Sequence, residues 1–419
     1  MNLNTSGSTL TKRILIGMFF GILLGTILNY VGVDGWVKSI LVDGFIEVGG
    51  RIFLSSLKLL VVPMVFVSLV SGAGSLDDIK KLGRLGSKTF GLYILTTAIA
   101  IAMALVVANI VDPGLGFELS SSAAAAFEAK EAPALVDVIA NIFPSNPIES
   151  MARGEMLQII VFALLFGVGL TLAGESGKRV LKTFNDLNEI IMKMVLLLIE
   201  LAPIGVFCLL TKVFASQGFG AILPMAKYFF VVLFCLILHV FIVYGSLLKA
   251  LANLNPLKFF KKFSEVQIFA FSTASSNATL PVNMEVTEKE LGVHNSVASF
   301  TIPLGATINM DGTAIMQGVA TVFVSQAYGI DLSFQQYMMV ILTATLASIG
   351  TAGVPGVGLV MLAMVFKQVG LPVEGIGLII GVDRLLDMVR TAVNVTGDAA
   401  VSCVVAKSEN QFDETVYNS

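Results

Sequence analysis

Seven polar or charged residues crowd into one short stretch of this chain. They are Asp383, Arg384, Asp387, Arg390, Thr391, Asn394 and Asp398, within the run Gly381–Asp398 (G-V-D-R-L-L-D-M-V-R-T-A-V-N-V-T-G-D). At about 100° per residue, Asp383, Asp387, Arg390, Asn394 and Asp398 fall within roughly 80° of one another on a helix. Arg390 supplies a planar, permanently charged guanidinium suited to gripping a carboxylate with two parallel hydrogen bonds. Asp387, one turn earlier, either neutralises Arg390 or holds a ligand ammonium. In the second case one helix face reads both ends of an acidic amino acid.

A second carboxylate stands almost alone. Between His294 and Lys367 the only charged residues are Asp311 and Asp331, and Asp311 sits inside the apolar run around Asn309-Met310-Asp311-Gly312-Thr313. A carboxylate at the centre of a membrane helix costs about 2.5–3.5 kcal/mol on insertion scales. It therefore needs a cation or a set of donors. Asn309 and backbone carbonyls loosened near Gly305 and Gly312 are hard oxygen ligands, which suit a small hard cation. Asp398, beside Asn394 and Gly397, has the same profile. Two such carboxylates point to two or more Na⁺ sites; protonated or internally paired aspartates, and proton coupling, are the rival readings. The lone His239 and His294, and Cys208, Cys235 and Cys403 in apolar segments, read as structural and build no Cys/His metal site.

The elements that must carry these residues are membrane spans. The chain is 56% hydrophobic and 13% charged, with a mean hydropathy of +0.87, whereas soluble domains carry about 25% charged residues. Long apolar runs without period-two alternation exclude a β-barrel and predict an all-α polytopic membrane protein. Spans are read at about 13–33, 44–74, 86–111, 136–174 (broken at Pro144, Pro147 and Gly154), 187–214 and 222–250, with a last helix at 373–406. The apolar run Ile14–Val33 is long enough to span and reads as the first helix. Lys80, Lys81, Arg84 and Lys88 crowd one loop region, Lys178, Arg179 and Lys182 another, and Lys249, Lys258, Lys261 and Lys262 a third. That alternation places both termini in the cytoplasm and the chain in the inner membrane. The net charge of −3 decides nothing in a membrane protein, and no nucleic-acid partner is expected. Residues 407–419 read as a flexible tail.

Two regions do not read as simple spans. Residues 256–290 and 333–370 are each an apolar arm, a cluster of small polar residues and a second arm: Phe271–Pro281 (F-S-T-A-S-S-N-A-T-L-P) and Ala347–Gly358 (A-S-I-G-T-A-G-V-P-G-V-G). Helix breakers at membrane depth favour re-entrant hairpins, whose tips are tolerated only against protein or water. Each is followed by a polar-cored helix, so a hairpin-plus-helix unit occurs twice, as in an inverted repeat with a midplane binding site.

These motifs carry a resemblance. Tyr93-Ile94-Leu95-Thr96-Thr97, Ser275-Ser276 with Thr279-Leu280-Pro281, Asn309–Thr313, Gly350–Gly358 and Asp387–Asp398 resemble, in spacing over nearly the whole chain, the dicarboxylate/amino acid:cation symporter family, the glutamate transporter homologues. The resemblance implies eight transmembrane helices plus two re-entrant helical hairpins, assembled as a homotrimer. Residues 1–85 and 112–221 would form a scaffold (helices one, two, four and five). Residues 86–111 (helix three) and 222–406 (helix six, hairpin one 256–290, helix seven 293–328, hairpin two 333–370, helix eight 373–406) would form a transport domain moving as an elevator. It implies substrate contacts from Ser275, Ser276, Thr313, Val354, Gly358, Asp387, Arg390, Thr391 and Asn394. It implies one sodium site from Gly305, Asn309, Asn394 and Asp398, a second from Thr307, Ser348, Ile349 and Thr351, and a third from Tyr93, Thr96, Thr97, Asn309 and Asp311.

The chain departs from that pattern in places. Ala274 and Met388 stand where members often carry an extra Arg, and the first hairpin reads S-S-N-A-T where S-S-S-G-T is expected. Arg384 lies near enough to supply a charge by another route. Asp398 is kept where proton-coupled relatives tend to be neutral, which favours sodium. The sequence therefore reads as a sodium-coupled symporter of aspartate and glutamate, and not as an enzyme. Against it stand a proton-coupled, C4-dicarboxylate or neutral amino acid symporter, a passive anion channel, and a weaker intramembrane hydrolase built on Asp383 and Asp387.

Overall fold

The computed structural model describes residues 3–32, 38–74, 79–116, 143–218, 222–349, 351, 353 and 355–419. Among them the secondary structure is helical, and the only extended pairing is an isolated bridge between Val293 and Phe412. Among the described residues, three stretches are long and apolar enough to cross a membrane: Lys12–Val31, Arg84–Val111 and Leu223–Ala252.

The helices group into two packing neighbourhoods. In the first, α1 (Leu3–Val31) lies along α7 (Ala202–Gln217), and α2 (Glu47–Gly74) packs on α7, on α5 (Met156–Leu172, after the short α4, Pro147–Arg153) and on α6 (Glu175–Ile199). One span was expected over 187–214, but the chain turns between α6 and α7. Pro203 explains the restart: its missing N–H is no loss in the first turn of a helix.

The second neighbourhood surrounds the polar residues. It contains α3 (Ile79–Val111) and α8 (Ile222–Leu238), which continues through a π-helical turn (His239–Tyr244) into α9 (Gly245–Ala252). It also contains two helix pairs, α10 (Pro256–Thr273) with α11 (Ser276–Lys289), and α14 (Phe334–Ser348) with α15 (Val357–Val369). The first pair reverses at Ala274, held in the left-handed region at φ 49°, and α11 restarts on Ser275, whose hydroxyl accepts from the Ala278 N–H. Ser333 and Gln336 close a capping box at the start of α14.

Between the pairs, one span is broken into α12 (Asn295–Ile308) and α13 (Asp311–Ala327). The break falls on Asn309 and Met310, both with non-helical backbone and both buried. Non-helical backbone at this depth is tolerated only inside protein. Against this break runs α16 (Ile376–Ser408), 33 residues of unbroken helix whose polar face is buried almost throughout. It contacts α10, α12, α13 and, from the other neighbourhood, α7 and α1.

The tail differs from its expectation. Residues 409–419 fold back: His294 N–H donates to the Gln411 carbonyl (3.0 Å) and Asp413 N–H to the Gly292 carbonyl (2.7 Å). A last short helix, α17 (Glu414–Asn418), buries Tyr417, whose hydroxyl reaches the Asn255 carbonyl at 2.8 Å. Lys262 spans the Glu290 (3.0 Å) and Val416 (2.7 Å) carbonyls. Composition predicted fraying because the tail is polar, but the partners that hold it are backbone groups far away in sequence.

Candidate functional site

Arg390 is the largest of the fully buried side chains, 1% exposed. Its Nη1 donates to Asp383 (2.6 Å) and its Nη2 to Asp387 (3.0 Å). Arg384 Nη1 reaches the other Asp387 oxygen at 3.3 Å, and the Gly356 N–H donates to that same oxygen at 3.1 Å. Two carboxylates and two guanidiniums make a neutral buried tetrad, the arrangement in which buried charges are tolerable. Arg390 Nε has no partner. In this structure Asp387 pairs with Arg390, and Asp383 and Arg384 are further members of the cluster that the sequence left unassigned.

Beside the tetrad lies a cavity of about 20 Å³, with Ser276, Thr313, Gly358, Asp387, Thr391 and Asn394 on its wall. That is room for about one water molecule. Six of the expected substrate contacts therefore meet around one space. Arg390 reaches it through the tetrad, its Nη2 3.4 Å from where a Cβ on Gly358 would stand. Ser275 instead ties the two helix pairs together, its hydroxyl donating to the Gly353 carbonyl at 2.7 Å while the Asn277 N–H donates to the same oxygen at 3.1 Å. Val354 lies outside the described residues.

One turn further along α16 is an oxygen cradle. Asn309 Nδ2 donates to Asp398 Oδ1 (2.9 Å) and to the Asn394 carbonyl (3.2 Å), and Asn394 Oδ1 accepts from the Gly312 N–H (2.7 Å). Asp398 Oδ2 and Asn309 Oδ1 are buried with no hydrogen-bond partner. Buried oxygens left unpaired are costly. A small hard cation satisfies both, so these residues fit sodium. A Cβ on Gly305 would stand 2.4 Å from Asp398 Oδ1, so only glycine allows this approach. The four residues expected for a first ion site are brought together.

Asp311 is satisfied differently. Thr97 donates to its Oδ1 (2.5 Å), and Tyr244 donates to its Oδ2 (2.8 Å), with His239 Nε2 3.0 Å from the same oxygen. His239 and Tyr244 are five residues apart, which on an α-helix turns them about 140° from each other. The π-helical turn, with its i→i+5 bonding, brings both onto one face. Tyr93 and Thr96 give their hydroxyls to the backbone carbonyls of Thr301 (3.0 Å) and Tyr93 (3.1 Å). Of the expected third set, Thr97 and Asp311 touch directly. The reading of His239 as structural missed this contact; the available signal was its lone polarity in an apolar span.

The members of the second set each bond separately, Thr307 and Thr351 within their own helices and Ser348 across to the α12–α13 break. The Ser348 hydroxyl donates to the Ile308 carbonyl and accepts from the Met310 N–H (3.1 Å), bracing the α12–α13 break. Thr307 and Thr351 bond back to Leu304 (2.9 Å) and Ala347 (2.9 Å), and Ile349 caps α14.

Known proteins match this chain along nearly its whole length. Residues 10–408 match the family described as "Sodium:dicarboxylate symporter family". The chain is 37% identical over 412 residues to a proton/sodium-glutamate symport protein of Bacillus caldotenax, covering 97% of this chain and 96% of that protein. It is 37% identical over 415 residues to a proton/glutamate-aspartate symporter of Escherichia coli K12 (97% and 94%). It is 32% identical over 413 residues to a C4-dicarboxylate transport protein of Bacillus subtilis (97% and 94%). This chain belongs to the sodium:dicarboxylate symporter family, a family of membrane transporters and not of enzymes.

Proposed function

We propose that this protein is a sodium-coupled symporter of acidic amino acids, aspartate and glutamate. The observation that carries the reading is the neutral tetrad around Arg390 about two turns of α16 from the unpaired oxygens of Asp398 and Asn309. An acidic amino acid brings a net charge of −1. Moved alone into a neutral buried site it would leave that charge uncompensated, which is expensive in a low dielectric. A cation bound beside it removes the excess, so the two bind together.

The side-chain carboxylate of the substrate would displace Asp383 and Asp387 from the Arg390 fork, and its ammonium would take Asp387 in exchange. Thr313, Thr391 and Asn394 would orient it. Asp387 also holds the Gly356 N–H, at the start of α15. Substrate capture and closure of the second helix pair would therefore compete for one carboxylate. The sodium sites expected around Asp398, at Thr307–Ser348–Ile349–Thr351 and around Asp311 remain part of this proposal, as do Ser275, Ser276, Val354 and Gly358 as substrate neighbours. So do the re-entrant role of the two helix pairs, the scaffold and transport domains, elevator movement, a homotrimer, surrounding lipid, and an inner-membrane location with both termini cytoplasmic.

Two observations keep a second reading in view. Relatives named for proton coupling and for C4-dicarboxylates match along nearly the full length, and Arg384 already neutralises Asp387, which a substrate without an ammonium would require. Labelled aspartate uptake into proteoliposomes decides between them. An inward Na⁺ gradient should drive accumulation above the outside concentration, unaffected by excess succinate. Equal uptake in choline buffer with only a proton gradient would sink sodium coupling, and full competition by succinate would move the substrate to dicarboxylates.

A further inference from the structure

An open groove of about 420 Å³ runs between α3, α9 and α16, and none of the expected ion or substrate residues lines it. Its size lies in the range of small-molecule sites, about 300–1,000 Å³. Leu92, Leu95 and Leu251 form aliphatic walls, and Leu95 and Leu251 are exposed. Gly91 is the floor, where an added Cβ would meet nothing within 4 Å. Lys88, Gly91, Leu92 and Leu95 follow helical spacing, so they share one face of α3. The trough from Lys88 to Leu95 is about 10 Å long at 1.5 Å per residue.

The mouth of the groove is charged. Lys88 Nζ donates to Glu409 (2.6 Å) and to the Ser408 hydroxyl (3.0 Å), and Arg84 binds the other oxygen of the same Glu409 carboxylate. Two cations thus share one carboxylate, which leaves one positive charge in excess above an apolar trough. This mouth stands at the end of the membrane-crossing stretch Arg84–Val111, where lipid headgroups lie. We infer that the groove binds one anionic phospholipid, its phosphate on Arg84 and Lys88 and an acyl chain along Leu92, Leu95 and Leu251. A zwitterionic lipid carries its own ammonium and gains nothing from the excess charge. The inference needs only that the chain sits in a membrane and is independent of the transported solute.

Native mass spectrometry of the full chain, released from micelles holding equal phosphatidylglycerol and phosphatidylcholine, tests it. One phosphatidylglycerol per chain should be retained at least five-fold over phosphatidylcholine. Arg84→Gln or Lys88→Gln should each lower that retention roughly five-fold, the weight of one basic residue near a charged lipid surface. Gly91→Phe, whose Cβ would meet nothing within 4 Å and whose ring would occupy the trough, should abolish it. Glu409→Gln should raise it, a gain that misfolding cannot produce. Equal retention of both lipids, retention unchanged by Gly91→Phe, or no gain with Glu409→Gln would each overturn the assignment.

Discussion

Arg390 concentrates the energetics of the site in one side chain. It neutralises Asp383 and Asp387 where neither is exposed, so its removal leaves two buried carboxylates with only Arg384 between them. Breaking a buried ion pair from one side costs about 3–5 kcal/mol. Arg390→Cys should therefore abolish aspartate uptake and lower the melting temperature of the empty protein in detergent. Arg390→Lys keeps the charge but loses the fork. It should recover most of the melting temperature and little of the uptake. Unchanged aspartate uptake in the Cys variant would remove Arg390 from the substrate role. Asp387 and Arg390 were legible as a pair at i, i+3. Asp383 and Arg384 were visible only as charges, because their spacing does not say which oxygen each guanidinium takes.

At the scale of elements, the docked tail is a helix end held by its cap. The Asp413 carboxylate accepts from the Thr415 hydroxyl (2.7 Å) and from the Thr415 and Val416 N–H groups (2.8 and 3.2 Å). The Thr415 hydroxyl bond first, then the two backbone bonds, hold its carboxyl below the usual range. A depressed carboxyl contributes fully above its unfolded value, near 3.9 for Asp, and that contribution is lost as pH falls through the lower folded value. Amides of residues 411–419 should be protected from hydrogen exchange from pH 7 down to about 4 and open below it. Asp413→Asn, a comparable cap without a titrating group, should flatten that dependence; a tail that opens with the same pH profile in Asp413→Asn would assign the effect elsewhere. The helices themselves were largely readable from apolar runs and breakers. The exact break at Asn309–Met310 was not: the sequence pointed only to carbonyls loosened near Gly305 and Gly312, and the tertiary bonds of Ser348 and Asn394 decided it.

Over the whole molecule, the α1–α2–α5–α6–α7 neighbourhood meets the site-bearing neighbourhood along α7 and α16. There a Cβ on Gly381 would fall 2.8 Å from the Leu210 side chain. If the second neighbourhood moves against the first, that contact must break in each cycle. Leu210→Cys with Gly381→Cys, in a background lacking Cys208, Cys235 and Cys403, should cross-link on oxidation. Uptake should then stop while substrate binding persists, and reduction should restore it. Full uptake in the cross-linked protein would refute elevator movement.

The sequence by itself determined the all-helical membrane class, the two interrupted segments, the polar face of the last long helix and the intramembrane carboxylates. Each is a local property, written in hydropathy, helix breakers and spacing at 3.6 residues per turn. Only the tertiary structure decided which buried charge meets which. It gave Asp383 and Arg384 their partners, drew His239 and Tyr244 to Asp311 through a π-helical turn, and left Asp398 and Asn309 each with an unpaired oxygen. It also folded the polar tail onto the first helix pair. The Asp311 and Asp398 contacts and the docked tail reach across more than 60 residues of sequence, and the tetrad turns on which oxygen each guanidinium takes within two turns of α16; a buried charge is worth nothing or several kcal/mol according to the neighbour it finds.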